Sequence, residues 1–158
     1  MLVIIHSGQT GVERGGHRAA VAAGIAIAGF MPVDRRDELG AIPHEIADML
    51  TPCFDRGPRP AVRANITLAS GVLLVVPDAA HAEKFTAMSA VLQGIRSARA
   101  PSLICDPQTN LDDVVRWSHQ LPETSGSTRV MVTGPRGTRW PEGENIARRL
   151  VAAIGMSQ

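Results

Sequence analysis

The chain has 158 residues, 44% of them apolar and 20% charged. That is the balance of a globular chain long enough to bury a core without staples, and it excludes a disordered chain. A formal net charge of +1 and an aromatic set of two Trp, three Phe and no Tyr give no support to DNA, RNA or an anionic membrane as partner.

The apolar opening Leu2 to Ile5 ends at His6-Ser7-Gly8 and reads as a buried strand; it lacks the charged and long apolar regions of a signal peptide. Gly15 to Ala23 is rich in Ala and reads as a helix closed by Gly24. Its small side chains suit close packing on a sheet. Ala26 to Phe30 is a second strand. Residues 31 to 58 hold Pro32, Pro43, Pro52 and Pro58, a charge run Asp34-Arg35-Arg36-Asp37-Glu38, and a short helix near His44 to Met49. A long irregular segment of this kind is often functional. The charge run is expected to be a solvated face.

A helix is predicted over Arg59 to Ala69, with Arg63 and Asn65 expected on its exposed side. Gly71 to Val76 reads as a strand apolar on both faces, as in the middle of a parallel sheet. The next helix is predicted over Ala82 to Arg99, where Phe85, Met88, Leu92 and Ile95 share a face. Ser102 to Cys105 is a strand, Leu111 to Leu121 a helix, Glu123 to Thr128 a polar loop, Arg129 to Thr133 the last strand and Glu142 to Ile154 the last helix. Strands alternate with helices throughout. The expected fold is α/β, a Rossmann-like three-layer sandwich with a mainly parallel sheet of about five strands, in a single domain over residues 1–158. No apolar run approaches membrane-spanning length. Cys53 and Cys105 have no zinc-site spacing and are expected to be reduced thiols, so the expected compartment is the cytoplasm.

In a parallel sheet every loop leading from a strand into a helix opens on the same edge, where ligands of such folds bind. The first of these is His6-Ser7-Gly8-Gln9-Thr10-Gly11-Val12-Glu13-Arg14. Gly8 and Gly11 permit left-handed backbone angles, so successive N–H groups can form an anion nest ahead of the helix N-terminus. Ser7, Gln9, Thr10 and Arg14 add polar donors. The plain alternative is a glycine-bearing turn that only connects. The loop after the last strand, Thr133-Gly134-Pro135-Arg136-Gly137-Thr138-Arg139-Trp140-Pro141, brings Arg136 and Arg139 to the same rim as clamps for phosphate oxygens. Trp140 is suited to stack on a planar ring, but packing against the core or the sheet edge is the commoner fate of a Trp. The loop after the third strand holds Asp78, His81, Lys84 and Thr86; a solvated helix start is its ordinary reading, and a phosphate contact by Lys84 the functional one. The sequence has no P-loop, GxSxG, HExxH, CxxC or paired-carboxylate motif. His6, His17, His44, His81 and His119 lack metal-ligand spacing. No nucleophile or general base stands out.

The stretch Ser7 to Arg14 resembles the SGGQTGVDRA opening of the molybdenum carrier family. That family is akin to a wider Rossmann-like group that includes the lysine decarboxylase-like phosphoribohydrolases and the DNA-processing protein A domain. Gly29-Phe30-Met31-Pro32, the set Glu38, Gly40, Ile42 and Pro43, the set Arg63, Asn65, Ser70 and Gly71, and finally Gly134-Pro135-Arg136 with Pro141 are similar, in order, to further segments of that family. Glu13 stands where the family has Asp. A Gly-Gly-Thr phosphate cradle is replaced by His81-Ala82-Glu83-Lys84-Phe85-Thr86, of which only Thr86 matches. The resemblance implies a non-enzymatic binding protein for a phosphorylated nucleotide-like or pterin ligand, with molybdenum cofactor as the implied cargo, and assembly into a homo-oligomer. The implied contacts are Ser7, Gly8, Gln9, Thr10 and Gly11 around one anionic group. Gly134, Pro135 and Arg136 approach from the neighbouring loop, and Lys84 and Thr86 from the third. Arg14 either binds there or braces the loop through Glu13 or Asp34. Two other readings stay open: a nucleotide N-glycosidic hydrolase using Glu13, Glu83 or Asp78, and a nucleotide sensor whose occupancy changes an interface.

Overall fold

The computed structural model describes residues 1–158. Strand β1 (Leu2–Ile5) runs through a tight loop into helix α1 (Val12–Ala23) and on to β2 (Ala26–Ala28). Gly24 closes α1 as expected: it adopts the left-handed conformation at φ 65° and returns its N–H to the carbonyls of Ala20 and Val21. The predicted second strand is split at Gly29, which stands at φ 135°, where a Cβ would lie 2.2 Å from the His6 carbonyl oxygen. Beyond it, β3 (Phe30–Met31), the antiparallel hairpin β4 (Arg36–Asp37) and β5 (Gly40–Ala41), helix α2 (His44–Ala47) and β6 (Thr51–Pro52) organise the proline-rich segment. β6 pairs in parallel with β3.

The remaining elements are α3 (Pro58–Leu68), β7 (Gly71–Val75), α4 (Ser89–Ala98), β8 (Ser102–Cys105), α5 (Leu111–His119), β9 (Thr128–Thr133) and α6 (Gly143–Met156). The helix predicted from Ala82 starts only at Ser89. Two 3₁₀ turns, Ala79–Lys84 and Thr86–Met88, come first. The Asp78 side chain accepts the Ala80 N–H and so caps the first turn, and Phe85 between the turns is extended. The shared face survives the break, because Phe85, Met88, Leu92 and Ile95 all join one core cluster.

Five strands form one parallel sheet in the order β2-β1-β9-β7-β8. The doubly wound order 3-2-1-4-5 appears if β9 is counted as the first strand and the chain is followed from there through β1, β2, β7 and β8. This is a Rossmann-like fold, with its topological switch point between β9 and β7. Alternation along the strands feeds two cores. Leu2, Ile4, Leu73, Val75, Val130 and Val132 pack with residues of α1, α5 and α6; Val3, Ile5, Val72, Leu74 and Met131 pack with residues of α3 and α4. A third, smaller cluster of Met31, Ile42, Ile46, Ala47 and Leu50 lies under the irregular segment.

The small residues of α1 serve helix packing as well as the sheet. A Cβ on Gly15 would meet the Glu144 carbonyl oxygen of α6 at 2.1 Å, and one on Gly16 would meet Val132 of β9 at 3.0 Å. The expectation that Asn65 is exposed is overturned. Asn65 has no accessible surface; its Oδ1 accepts the Phe30 N–H at 2.7 Å and its Nδ2 donates to the Phe30 carbonyl at 3.0 Å. It pins β3 to α3 by completing the hydrogen bonds of one edge peptide, a need that arises only once the chain folds. Arg63, on the same helix, is exposed.

Candidate functional site

Glu13 organises the first loop. It is buried, and its carboxylate accepts from the Ser7 N–H at 3.1 Å, the Ser7 hydroxyl at 2.9 Å and the Gln9 N–H at 3.1 Å. Burial raises its pKa, against the pull of these donors and of the Arg136 charge. The Gly8 N–H is also committed, to His6 Nδ1 at 2.9 Å. Of the nest expected over Ser7 to Gly11, the N–H groups of Ser7, Gly8 and Gln9 are therefore taken up by the protein's own carboxylate and imidazole. Gly11, at φ 79°, lies against the last loop: a Cβ there would stand 2.6 Å from both the Pro135 carbonyl oxygen and the Gly137 N. The Gly137 N–H donates to Thr10 Oγ1 at 3.1 Å. The loops after β1 and β9 are thus one interlocked unit.

Of the charge run expected to be solvated, Asp34, Arg35 and Arg36 are exposed, but the side chains of Asp37 and Glu38 are fastened to that unit. The Asp37 side chain is almost wholly buried and pairs with Arg14 at 2.8 Å, while Arg14 also donates to the Gly8 carbonyl at 2.9 Å. Glu38 accepts from the hydroxyls of Thr10 and Thr138, and from the Thr138 N–H at 3.2 Å. Burial works to raise the pKa of Glu38, but these bonds and the Arg136 charge outweigh it and hold the carboxyl below its ordinary value. Gln9 Nε2 donates to the Arg36 carbonyl at 3.2 Å. The β4-β5 hairpin is a cover tied to both loops. Arg14 is a brace, through Asp37 rather than through Glu13 or Asp34.

Beneath the rim lies a histidine pair. His6 Nε2 and His17 Nδ1 are 3.0 Å apart with the rings edge to face. Because the Gly8 N–H occupies His6 Nδ1, the proton of neutral His6 sits on Nε2 and is donated to His17. Burial, then the neighbouring His17 and Arg14, pushes the pKa of His6 down to about 3.

A cleft of about 380 Å³ opens at the carboxyl ends of β9 and β7, at the switch point. Thr133, Gly134, Arg136 and Arg139 line it from the β9 loop, Ser7, Gln9 and Glu13 from the first loop, Pro58, Arg59 and Val62 from the start of α3, and Thr86 to Val91 from the start of α4. A Cβ on Gly134 would fall 2.2 Å from the Val75 carbonyl oxygen, which shows how closely the β9 loop crosses the end of β7. Two helix N-termini and three guanidiniums face the opening, and its one carboxylate, Glu13, is spent on the loop. This charge pattern suits an anion.

Of the residues singled out from sequence, Ser7, Gln9, Thr86, Gly134, Arg136 and Arg139 meet at this cleft. Thr10, Gly11 and Pro135 instead build the interlock behind it, and Gly8 faces Ile42 and Leu50 under the irregular segment. Arg14 opens on the far side of α1, into a separate groove with His17 and Arg18. Lys84 is exposed and outside the lining, as are the exposed residues Asp78 and His81, which pair with each other at 2.8 Å. Trp140 packs half-buried against the core over Gly143 and does not line the cleft. Sequence reasoning missed Arg59. Its only local signal is its place behind Pro58 at a helix start, and that says nothing of what the helix end faces.

A model of the circularly permutated YpsA SLOG family matches residues 4–154. The crystal structure of a putative molybdenum carrier protein from Syntrophus aciditrophicus SB is similar in fold. It superposes with a TM-score of 0.76 over 97% of this chain and 93% of that one, at 19% identity. No curated protein matches the chain in sequence. The strand order is that of a doubly wound sheet entered one strand late, which accords with the permutation in the family's description.

Proposed function

We propose a binding function for this chain, which belongs to the circularly permutated YpsA SLOG family: the switch-point cleft takes a phosphorylated, nucleotide-like or pterin ligand. The observation that carries the reading is the convergence of Arg59, Arg136 and Arg139 with the starts of α3 and α4 on one opening. Guanidinium pairs hold phosphate oxygens in a fork, and a helix start adds partial positive charge. The anion is held by these groups and by the Thr86 hydroxyl, not by the first loop's N–H groups at Ser7, Gly8 and Gln9 or by the Ser7 hydroxyl, which donates to Glu13.

Within this reading, molybdenum cofactor is the cargo suggested by the name of the similar Syntrophus protein. The cleft fits the phosphate of such a ligand. It presents no His or Cys to a metal, so molybdenum would be held by the ligand's own donors. A cytoplasmic setting accords with two buried, unpaired cysteines.

Binding is favoured over glycosidic hydrolysis by the state of Glu13. A general base needs an oxygen within reach of the proton it takes, and both oxygens of Glu13 already accept bonds from the loop. Glu83 and Asp78 lie outside the cleft.

Native mass spectrometry of gently purified protein, with molybdenum measured on the same sample, tests this. The expected result is a retained phosphorylated small molecule, with occupancy lowered by about ten-fold or more in the double variant Arg136→Gln, Arg139→Gln. Retention of the same ligand at the same occupancy by that variant would refute the cleft as the site. A pterin with molybdenum identifies a carrier. A nucleotide without metal favours a sensor.

A further inference from the structure

We propose that the rim cleft is one half of a longer binding trough, and that the ligand carries a second anionic group held between α3 and α4. This rests on the binding reading above and extends it. A groove of about 460 Å³ between the two helices shares Arg59, Val62, Ser89 and Ala90 with the rim cleft, so the two are continuous. The floor of the groove is closed where the helices touch: a Cβ on Gly94 would lie 2.7 Å from Ile66 Cδ1.

The two walls differ in chemistry. α3 presents Arg59 and, one turn further on, Arg63; α4 presents Ser89, Gln93 and Ser97. Arg59 lines both halves of the trough and Arg63 only the groove, so Arg63 lies farther from the rim. Along the whole trough run Arg59, Arg63, Arg136 and Arg139, and none of the four takes part in an ion pair. Glu13 is the only acidic residue lining it.

The chain has 16 basic and 15 acidic residues, so the segregation is local and is invisible in the net charge. Lone surface arginines are ordinary. Four along one continuous depression, none in a direct ion pair and only Arg136 near carboxylates, those of Glu13 and Glu38, concentrate positive potential there. Arg63 lines only the groove, so a single phosphate held at Arg136 and Arg139 in the rim cleft leaves it unused, and a second anionic group in the groove engages it. The neutral groups of the groove are hydroxyls and an amide, and no aromatic ring lines either half. That chemistry fits a hydroxylated, sugar-like segment between the two anions. The ligand class is a sugar phosphate or nucleotide with two separate phosphate groups.

The test is calorimetric titration of the full chain with adenosine 5′-monophosphate and with adenosine 3′,5′-bisphosphate, repeated on Arg63→Gln. The bisphosphate is expected to bind about ten-fold more tightly than the monophosphate, and this ratio should fall toward one in Arg63→Gln. If the monophosphate binds but the bisphosphate gains nothing, or if the gain survives in Arg63→Gln, the groove is a solvated face. The second subsite then falls while the rim site stands. If neither nucleotide binds at millimolar concentration, the rim fails as a nucleotide site and the extension fails with it. Ser97→Glu is the independent check, because a negative charge placed in the groove should weaken the bisphosphate more than the monophosphate.

Discussion

Acidification from about pH 7 to about pH 4.5 should weaken the fold through His6. Its ring has no accessible surface, accepts the Gly8 N–H at Nδ1 and donates from Nε2 to His17. Burial, with help from His17 and Arg14, takes its pKa from the ordinary 6.5 to about 3. In the unfolded chain His6 takes up a proton as the pH drops through 6.5; in the folded protein it resists until about 3. Within that window the unfolded state binds more protons, so stability is intact above 6.5 and is lost as the pH falls toward 3. Integrated from about pH 7 to about pH 4.5, His6 alone accounts for a loss of about 2.5 kcal/mol. His17 is shifted in the same direction, by burial first and by Arg14 next, and adds to the loss. Urea unfolding of the unaltered protein and of His6→Asn across this interval isolates the effect. The Asn Oδ1 can still accept the Gly8 N–H, and the titrating ring is gone. The variant should start less stable, because a buried ring is lost, yet lose about 2.5 kcal/mol less on acidification. Equal losses in the two proteins would refute the assignment of His6 as a buried neutral base.

The interlock of the two rim loops predicts that Gly11→Ala costs about 3 kcal/mol, or about 10 °C in Tm by differential scanning calorimetry, since a Cβ there combines a positive φ with backbone contact. An unchanged Tm would mean that the loops are not in contact at that point. Asn65→Ala should cost about 2–3 kcal/mol in urea unfolding, because it leaves both the N–H and the carbonyl of Phe30 without their partner. A loss of a few tenths would show that water replaces the side chain.

The order of strands and helices was legible in the chain because it depends on local patterning. Gly71 to Val75 is apolar at every position, and that marks an interior parallel strand whatever surrounds it. The glycine punctuation at Gly24 was legible for the same reason, as was the presence of glycine-bearing loops after β1 and β9. The uses of the polar residues were not legible. The run Asp34 to Glu38 reads as a solvated face until Arg14, Thr10 and Thr138 arrive beside it from positions far away in the chain. Glu13 reads as a helix-start carboxylate until the loop folds back and hands it two N–H groups and a hydroxyl. Arg59 and Arg63 are two arginines on one helix until α4 makes the other wall of a trough. Hydrophobic periodicity is written residue by residue, so the sequence alone determined the α/β alternation and the rim on which the loops meet. Which donors remain free for a ligand is a matter of subtraction, settled only after every buried polar group has found its partner, and those partners are supplied by tertiary contact.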